Sequence, residues 1–552
     1  MAEHIGDLES GDADTADGGA VQRTNATAAS GASAVVMTMG CLAIAIVAAG
    51  IAAATSGWTS VSDVALIELR VRDVPAHLPL VGVYSRYGWN HPGPAAFYGL
   101  APFYRLFGGA SVGLLVGALF FQFGGVIASL AAVRRIGETA AIAVAGGAIA
   151  AFLGMPPEAL RSPWNPYVSL GGVVALVAFG WAFAERRRSG ALALFAVASV
   201  MTQTHVVSAP IAAAVVVAAV ALSWSSRGQD RPVSWPWIGG GVALAALVWL
   251  APIVQQFTGS PGNLGEVLSA GSGDDPAVGF GAALQAFTGA FAVVPSSLDR
   301  GNVIGFGDPL AWHVPVWLAV VAAGGVAAWS TGRPGRSRRA EKAVLAENAG
   351  RAEKAALPEN AERAETVRVA RVGGAGPISL ERVPHDRVSH DPVAHDPVAL
   401  DPVSHERVSL VRGWLIAAAA TLGSIISIAM VTGTAFGYLR IGLRVSSLLW
   451  IAISIAALTA ALWPRLARPV LGIGVVAAAL VLAVVATVSG NPDAGAGEGT
   501  EALARAADSV RREVGVPRSE PVEISHSVDF GASLYGPALM VELERRGWNV
   551  QS

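Results

Sequence analysis

Eleven runs of apolar residues, each close to the length a helix needs to cross a bilayer, constrain this chain more than any other feature of its sequence. They fall at about 34–55, 111–133, 138–154, 168–184, 190–204, 206–224, 237–254, 313–330, 412–432, 445–462 and 469–489. A helix rises ~1.5 Å per residue and the hydrocarbon layer is ~30 Å thick, so runs of roughly 17–25 residues read as transmembrane helices. Within hydrocarbon each segment must satisfy its own backbone N–H and C=O groups, which makes the helix the element these runs form. The expected fold class is an all-α polytopic membrane protein with about eleven spans. A further semi-apolar stretch, 95–107, is interrupted by Pro94 and Pro102 and suits an interfacial helix better than a span.

Composition closes off other classes. Charged residues are 14% of the chain, against ~25% in ordinary soluble domains, so a soluble cytosolic enzyme is excluded. A formal net charge of −2 gives no reason to expect a nucleic-acid partner. The single cysteine, Cys41, lies inside the first apolar run, so there is neither a disulfide framework nor a cysteine metal site. Lysine occurs only at Lys342 and Lys354, and arginine carries nearly all the positive charge.

The arginines also set a topology. Arg134 and Arg135, Arg186 to Arg188, Arg227 and Arg231, the segment Arg333–Arg412, and Arg465 and Arg468 occupy alternate loops. The positive-inside rule makes those loops cytoplasmic, with the N-terminus inside and the C-terminus outside the plasma membrane. Five regions follow. Residues 1–33 are a polar, acidic, disordered cytoplasmic tail, and 34–330 a transmembrane domain with a large first outer loop at 56–94. Residues 331–411 form a cytoplasmic linker in which RAEKAVLAENAG recurs as RAEKAALPENAE, followed by a five-residue repeat over 382–406. Such Pro-punctuated polar repeats cannot bury a core and read as disordered. The last spans occupy 412–489, and 490–552 a small α/β appendage that docks on the outer face.

The spans themselves are almost free of charge, whereas pumps and ion pathways place ionisable groups at mid-membrane. Ionisable and aromatic residues gather instead at the outer ends of the spans. Asp63 and Glu68 follow the first span, and Arg86, Trp89, Asn90 and His91 follow them before Pro92 and Pro94 turn the chain back. Trp164 and Asn165 lie in the next outer loop, Gln203 and His205 in a tight turn, and Arg440 and Arg444 outside the ninth run, against the positive-inside trend. Asp63 and Glu68 are five positions apart, about 140° around a helix, so both could face one cleft without coinciding.

An acidic residue opening a long first outer loop, followed by SRYGWNHPGPAAFY, resembles the GT-C superfamily, and in particular a group of its actinobacterial members. SPWNPY at 162–167, TQTH at 202–205 and PGN at 261–263 are similar marks in the same order. The resemblance covers roughly residues 34–330 and the last three spans. Many members carry two adjacent carboxylates, whereas here Val64 follows Asp63. The resemblance implies a membrane glycosyltransferase that moves a sugar from a polyprenyl-phosphate donor to a cell-envelope glycan, lipid or protein. Inverting transfer needs a carboxylate to take the proton of the attacking hydroxyl and cationic groups to hold the departing phosphate. Asp63 is the expected base, with Glu68 beside it as the second catalytic carboxylate. Arg86, His91, Arg440 and Arg444 are expected to hold the phosphate, and Trp89, Asn90, Trp164, Asn165, Gln203 and His205 to line the substrate site. Membrane lipids are the other expected partner. No cofactor is expected, although Asp63, Glu68 and His91 are residue types that could hold a divalent metal. The rival classes are a transporter or flippase of a lipid-linked precursor, which calls for inverted repeats and broken helices, and a non-catalytic assembly scaffold.

Overall fold

The computed structural model describes residues 15–85, 88–225, 232–270, 276–290, 313–331, 402–433, 436–463, 467–489, 496–513, 517, 520–523 and 530–551. All eleven apolar runs form helices. In chain order the helices are α1 (Thr15–Ala54), α2 (Ser62–Asp73), α3 (Ala95–Leu106), α4 (Val112–Val133), α5 (Glu138–Leu153), α6 (Asn165–Ala184), α7 (Arg188–Thr204) and α8 (Ser208–Ser225). They continue as α9 (Trp235–Thr258), α10 (Asn263–Ala270), α11 (Gly279–Ala290), α12 (His313–Thr331), α13 (Pro402–Ala429), α14 (Ile441–Leu462) and α15 (Ala467–Val488). The appendage adds α16 (Ala496–Glu513), β1 (Pro521–Glu523), α17 (Phe530–Arg545) and β2 (Asn549–Gln551).

Among the described residues eight helices are both long and apolar enough to cross a membrane, fewer than the eleven runs suggest. The helices at Glu138–Leu153, Val314–Ser330 and Arg188–Thr204 are shorter. The first of these has a physical reason to be short. Helix α5 is Ala- and Gly-rich and buried along most of its length between α1, α4, α14 and α15, so protein rather than lipid surrounds it. Helix α9 is the opposite case and leaves Leu244, Leu247 and Leu250 exposed. With its long apolar helices the chain is an all-α, multi-pass membrane protein.

Two boundaries move. Helix α1 starts at Thr15, inside the stretch read as a disordered tail, because the Ala-rich, Pro-free sequence lets the helix propagate outward from the span. Helix α13 starts at Pro402, inside the stretch read as linker, for the related reason that proline is tolerated in a first helical turn. The repeats at 339–401 and residues 1–14 lie outside the described residues.

The bundle closes around one large core containing Phe123, Phe152 and Trp181, all fully buried. Helix α4 packs on α6, α14 on α5 and α12, α1 on α15 and α4, and α13 on α8. At one end of the bundle Trp181 donates to Ser409 Oγ at 2.9 Å, and buried Glu185 pairs with Arg412 at 2.8 Å, tying α6 to α13. The C-terminal end of α1 and the N-terminal ends of α4, α6 and α14 lie at the other end.

The appendage is a parallel two-stranded sheet, Pro521 opposite Asn549, with α16 and α17 beside it. Ala507, Leu543 and Trp548 form its own small core. A second contact, between Leu503, Ala538 and Val541 on one side and Val61 and Ala65 on the other, seats it on α2.

Candidate functional site

Helix α2 carries both acidic candidates and gives them different fates. One face, with Val64, Ile67 and Val71, packs against Trp58, Phe97, Leu100 and Tyr104. The opposite face, with Val61, Ala65 and Leu69, meets the appendage. Asp63, in the first turn, stays exposed and accepts a hydrogen bond from Trp164 Nε1 at 3.0 Å. Glu68 is completely buried. Its carboxylate accepts from Ser60 Oγ and Ser111 Oγ, both at 2.6 Å, from Tyr104 OH at 3.1 Å, and pairs with Arg545. The two carboxylates therefore share no cleft: one faces outward and the other is consumed by internal partners.

A run of rings leads away from Asp63. Trp164, the residue before α6, meets Tyr167 edge-on at 5.3 Å and Tyr438 at 4.9 Å between ring centroids. Tyr438 stacks on Phe436 and turns its edge to His205 at 6.1 Å. His205 lies 4.8 Å from His91, and His91 is 5.5 Å from Trp89. Loops that are far apart in sequence thus meet at one wall, formed by the first outer loop, the α6 start, the α7–α8 turn and the α14 start. Both histidines are buried, and His91 Nδ1 accepts the Val206 N–H at 3.3 Å. Burial, then repulsion from His205, holds His91 well below the usual imidazole range, and burial lowers His205 to about 4. Near neutral pH both rings are uncharged and serve as wall and hydrogen-bond partners, not as cations for phosphate.

The polar candidates divide in the same way. Asn165 Nδ2 donates to the Thr204 carbonyl at 3.2 Å, locking the α6 start to the α7 end. Gln203 Nε2 donates to the Val248 carbonyl at 2.9 Å, while its buried Oε1 has no hydrogen-bond partner and sits against Gly93. A Cβ at Gly93 would come within 2.2 Å of that oxygen, so only glycine permits this approach. The Asn90 backbone exchanges two hydrogen bonds with the Asn263 side chain, at 3.0 and 3.1 Å. Arg86 lies outside the described residues.

Arg440 ends a short 3-10 turn, and Arg444 follows one turn into α14. Arg444 is only 6% exposed, and its buried Nε and Nη2 have no hydrogen-bond partner among the described residues. No carboxylate among the described residues pairs with it. A guanidinium left in that state is costly unless an anion answers it. Its head lies against Gly154, where a Cβ would approach Nη2 to 2.3 Å. No three His, Cys, Asp or Glu side chains converge as metal ligands among the described residues, and Glu68 is already engaged by Arg545.

Several residues that join the site were given no role from sequence, although one of them, Asn263, lies in the PGN mark. Tyr438 joins Trp164 to His205, and Asn263 clips the first outer loop to α10. Buried Arg161 donates to the Ala486 and Thr487 carbonyls at the end of α15, where a cation answers the helix dipole, and burial lowers its pKa. The aromatic Tyr438 and the PGN segment were visible as types, but no local pattern marked Arg161.

The site belongs to a polytopic helical membrane protein with an aromatic wall, an exposed carboxylate and a buried guanidinium that no carboxylate among the described residues answers. No family model matches the sequence, and no curated protein matches it. Among solved structures the chain is similar to the crystal structure of ArnT from Cupriavidus metallidurans bound to undecaprenyl phosphate. The TM-score is 0.48 and the identity 13%, over 93% of this chain and 84% of that one.

Proposed function

We propose that the protein is a membrane glycosyltransferase that moves a sugar from a polyprenyl-phosphate donor to a cell-envelope acceptor at the outer face of the plasma membrane. One observation carries the reading: an exposed carboxylate, Asp63, held by the indole N–H of Trp164 at the bundle end where Arg444 lies buried with no anionic partner among the described residues. Transfer needs those two groups and little else. The acceptor hydroxyl attacks the anomeric carbon, its proton passes to the Asp63 carboxylate, and the electron pair of the breaking C–O bond leaves with the phosphate. Arg444, with Arg440 one turn away, answers the charge on that phosphate, a role for which a planar guanidinium suits two phosphate oxygens. Trp164 fixes the carboxylate, and the part-exposed rings of Tyr438 and Trp89 offer a face on which a sugar can lie.

Glu68 supports this chemistry by holding α2 and not by proton transfer, because its oxygens are already occupied. The arginine-rich loops at the opposite end of the bundle argue that the site faces outward. The test is transfer by purified protein from a panel of labelled polyprenyl-phosphate sugars. Asp63→Asn keeps the shape and one acceptor oxygen but cannot take the proton. Turnover should fall roughly 10²-fold or more while donor binding survives. Near-wild-type transfer by Asp63→Asn, at confirmed protein levels, would sink the assignment.

A further inference from the structure

The backbone around Asp63 is under tension. Ser62, directly before it, adopts φ +54°, a left-handed conformation that serine rarely takes and that persists only where its surroundings enforce it. Those surroundings are visible on both sides. Ser60 is held by its hydroxyl on Glu68 and by its N–H on Ser111 Oγ at 3.3 Å. Val61 is buried against the appendage residues Leu503, Ala538 and Val541.

The groups that enforce this geometry converge on Glu68, and its one cationic partner among the described residues comes from the far end of the chain. Arg545 closes α17, reaching both the Glu68 carboxylate and Ser111 Oγ, the latter at 2.6 Å. Its neighbour Glu544 pairs with Arg72 at the end of α2 at 3.0 Å. Helix α2 is thus gripped by the appendage at its middle and at its end. Without Arg545 the three hydroxyls would remain, but a fully buried carboxylate would face no cation, the arrangement that costs most in a protein interior. Moving Glu68 toward water would relieve it, and Asp63, on the same helix, would move with it.

We propose that Arg545 is a positioning residue for Asp63, acting through Glu68 and α2, so that the C-terminal appendage is a working part of the site and not a separate module. The proposal extends the transferase reading, and its structural half can be tested without it. Hydrogen–deuterium exchange on the full chain in lipid nanodiscs would follow the α2 peptide, 62–73, with the α5 peptide, 138–153, as a reference for the rest of the bundle.

Arg545→Met should raise exchange in α2 at least about tenfold and leave α5 unchanged. Arg545→Lys, which keeps the charge, should restore most of the protection. Glu68→Gln combined with Arg545→Met should restore part of it, because the buried charge that required the cation is gone. In the transfer assay Arg545→Met should lower kcat with the donor KM nearly unchanged, and Arg545→Lys should recover kcat. Unchanged α2 exchange in Arg545→Met, or equal loosening of α2 and α5, overturns the proposal. So does a loosened α2 with full kcat. A wild-type protein that transfers no sugar, with α2 responding as described, removes the transferase reading and supports the linkage of α2 to the appendage.

Discussion

Acidification should weaken the fold through the adjoining histidines His91 and His205, and the size of the effect follows from their burial. His205 has its pKa lowered from 6.5 to about 4 because burial disfavours the imidazolium. The unfolded chain therefore binds a proton at this residue that the folded chain refuses, so the stabilisation is intact above pH 6.5 and lost as pH falls toward 4. One pKa unit is worth about 1.36 kcal/mol, so His205 alone should remove about 2 kcal/mol by pH 5 and about 3 kcal/mol by pH 4. His91 is shifted in the same direction, by burial first and then by repulsion from His205, so the second proton the pair takes up costs more than the first. The comparison that isolates the effect is wild type against His205→Gln, which keeps a polar side chain of similar reach but does not titrate. Unfolding in detergent micelles would be followed by tryptophan fluorescence against denaturant from pH 8 to pH 5. The stability gap between the two proteins should narrow by about 2 kcal/mol over that range. Parallel pH profiles would refute the reasoning, since the buried ring would then be protonated at no cost.

Arg444→Gln should weaken donor binding roughly 10–30-fold, the loss of one charge-assisted contact worth about 1.5–2 kcal/mol, measured as the donor KM. An unchanged KM would show that its anion is a lipid head group instead. Deleting 339–401, up to the start of α13, should leave expression, thermal stability and transfer within about twofold, because loop-closure cost grows slowly with length. Loss of transfer at normal expression would show that the repeats act in the reaction. Reporter fusions after Gly490 and within 345–400 should read on opposite sides of the membrane, and the same side for both would undo the outward assignment of the site.

The sequence by itself determined the helical class and where most helices lie, because apolar run length is a direct measure of what hydrocarbon will accept. It also picked out Asp63, Trp164, His91, His205 and Arg444, since charged and aromatic residues beside spans are rare enough to stand out. At short runs such as 190–204 apolar length alone did not decide whether the helix crosses, because an apolar stretch inside a bundle obeys packing as well as bilayer thickness. What it could not decide was which of these side chains are exposed and which are engaged by internal partners. Asp63 and Glu68 look alike along the chain, and only their surroundings separate them: one meets a single indole N–H, the other four donors. The decisive donor, Arg545, lies 477 positions from Glu68 and reads as an ordinary arginine at a helix end. His91 and His205 form a pair only because the first outer loop folds onto the α7–α8 turn. Burial and partnership are properties of the assembled bundle, where desolvation makes a lone charge expensive and a paired one tolerable, and no local spacing encodes them.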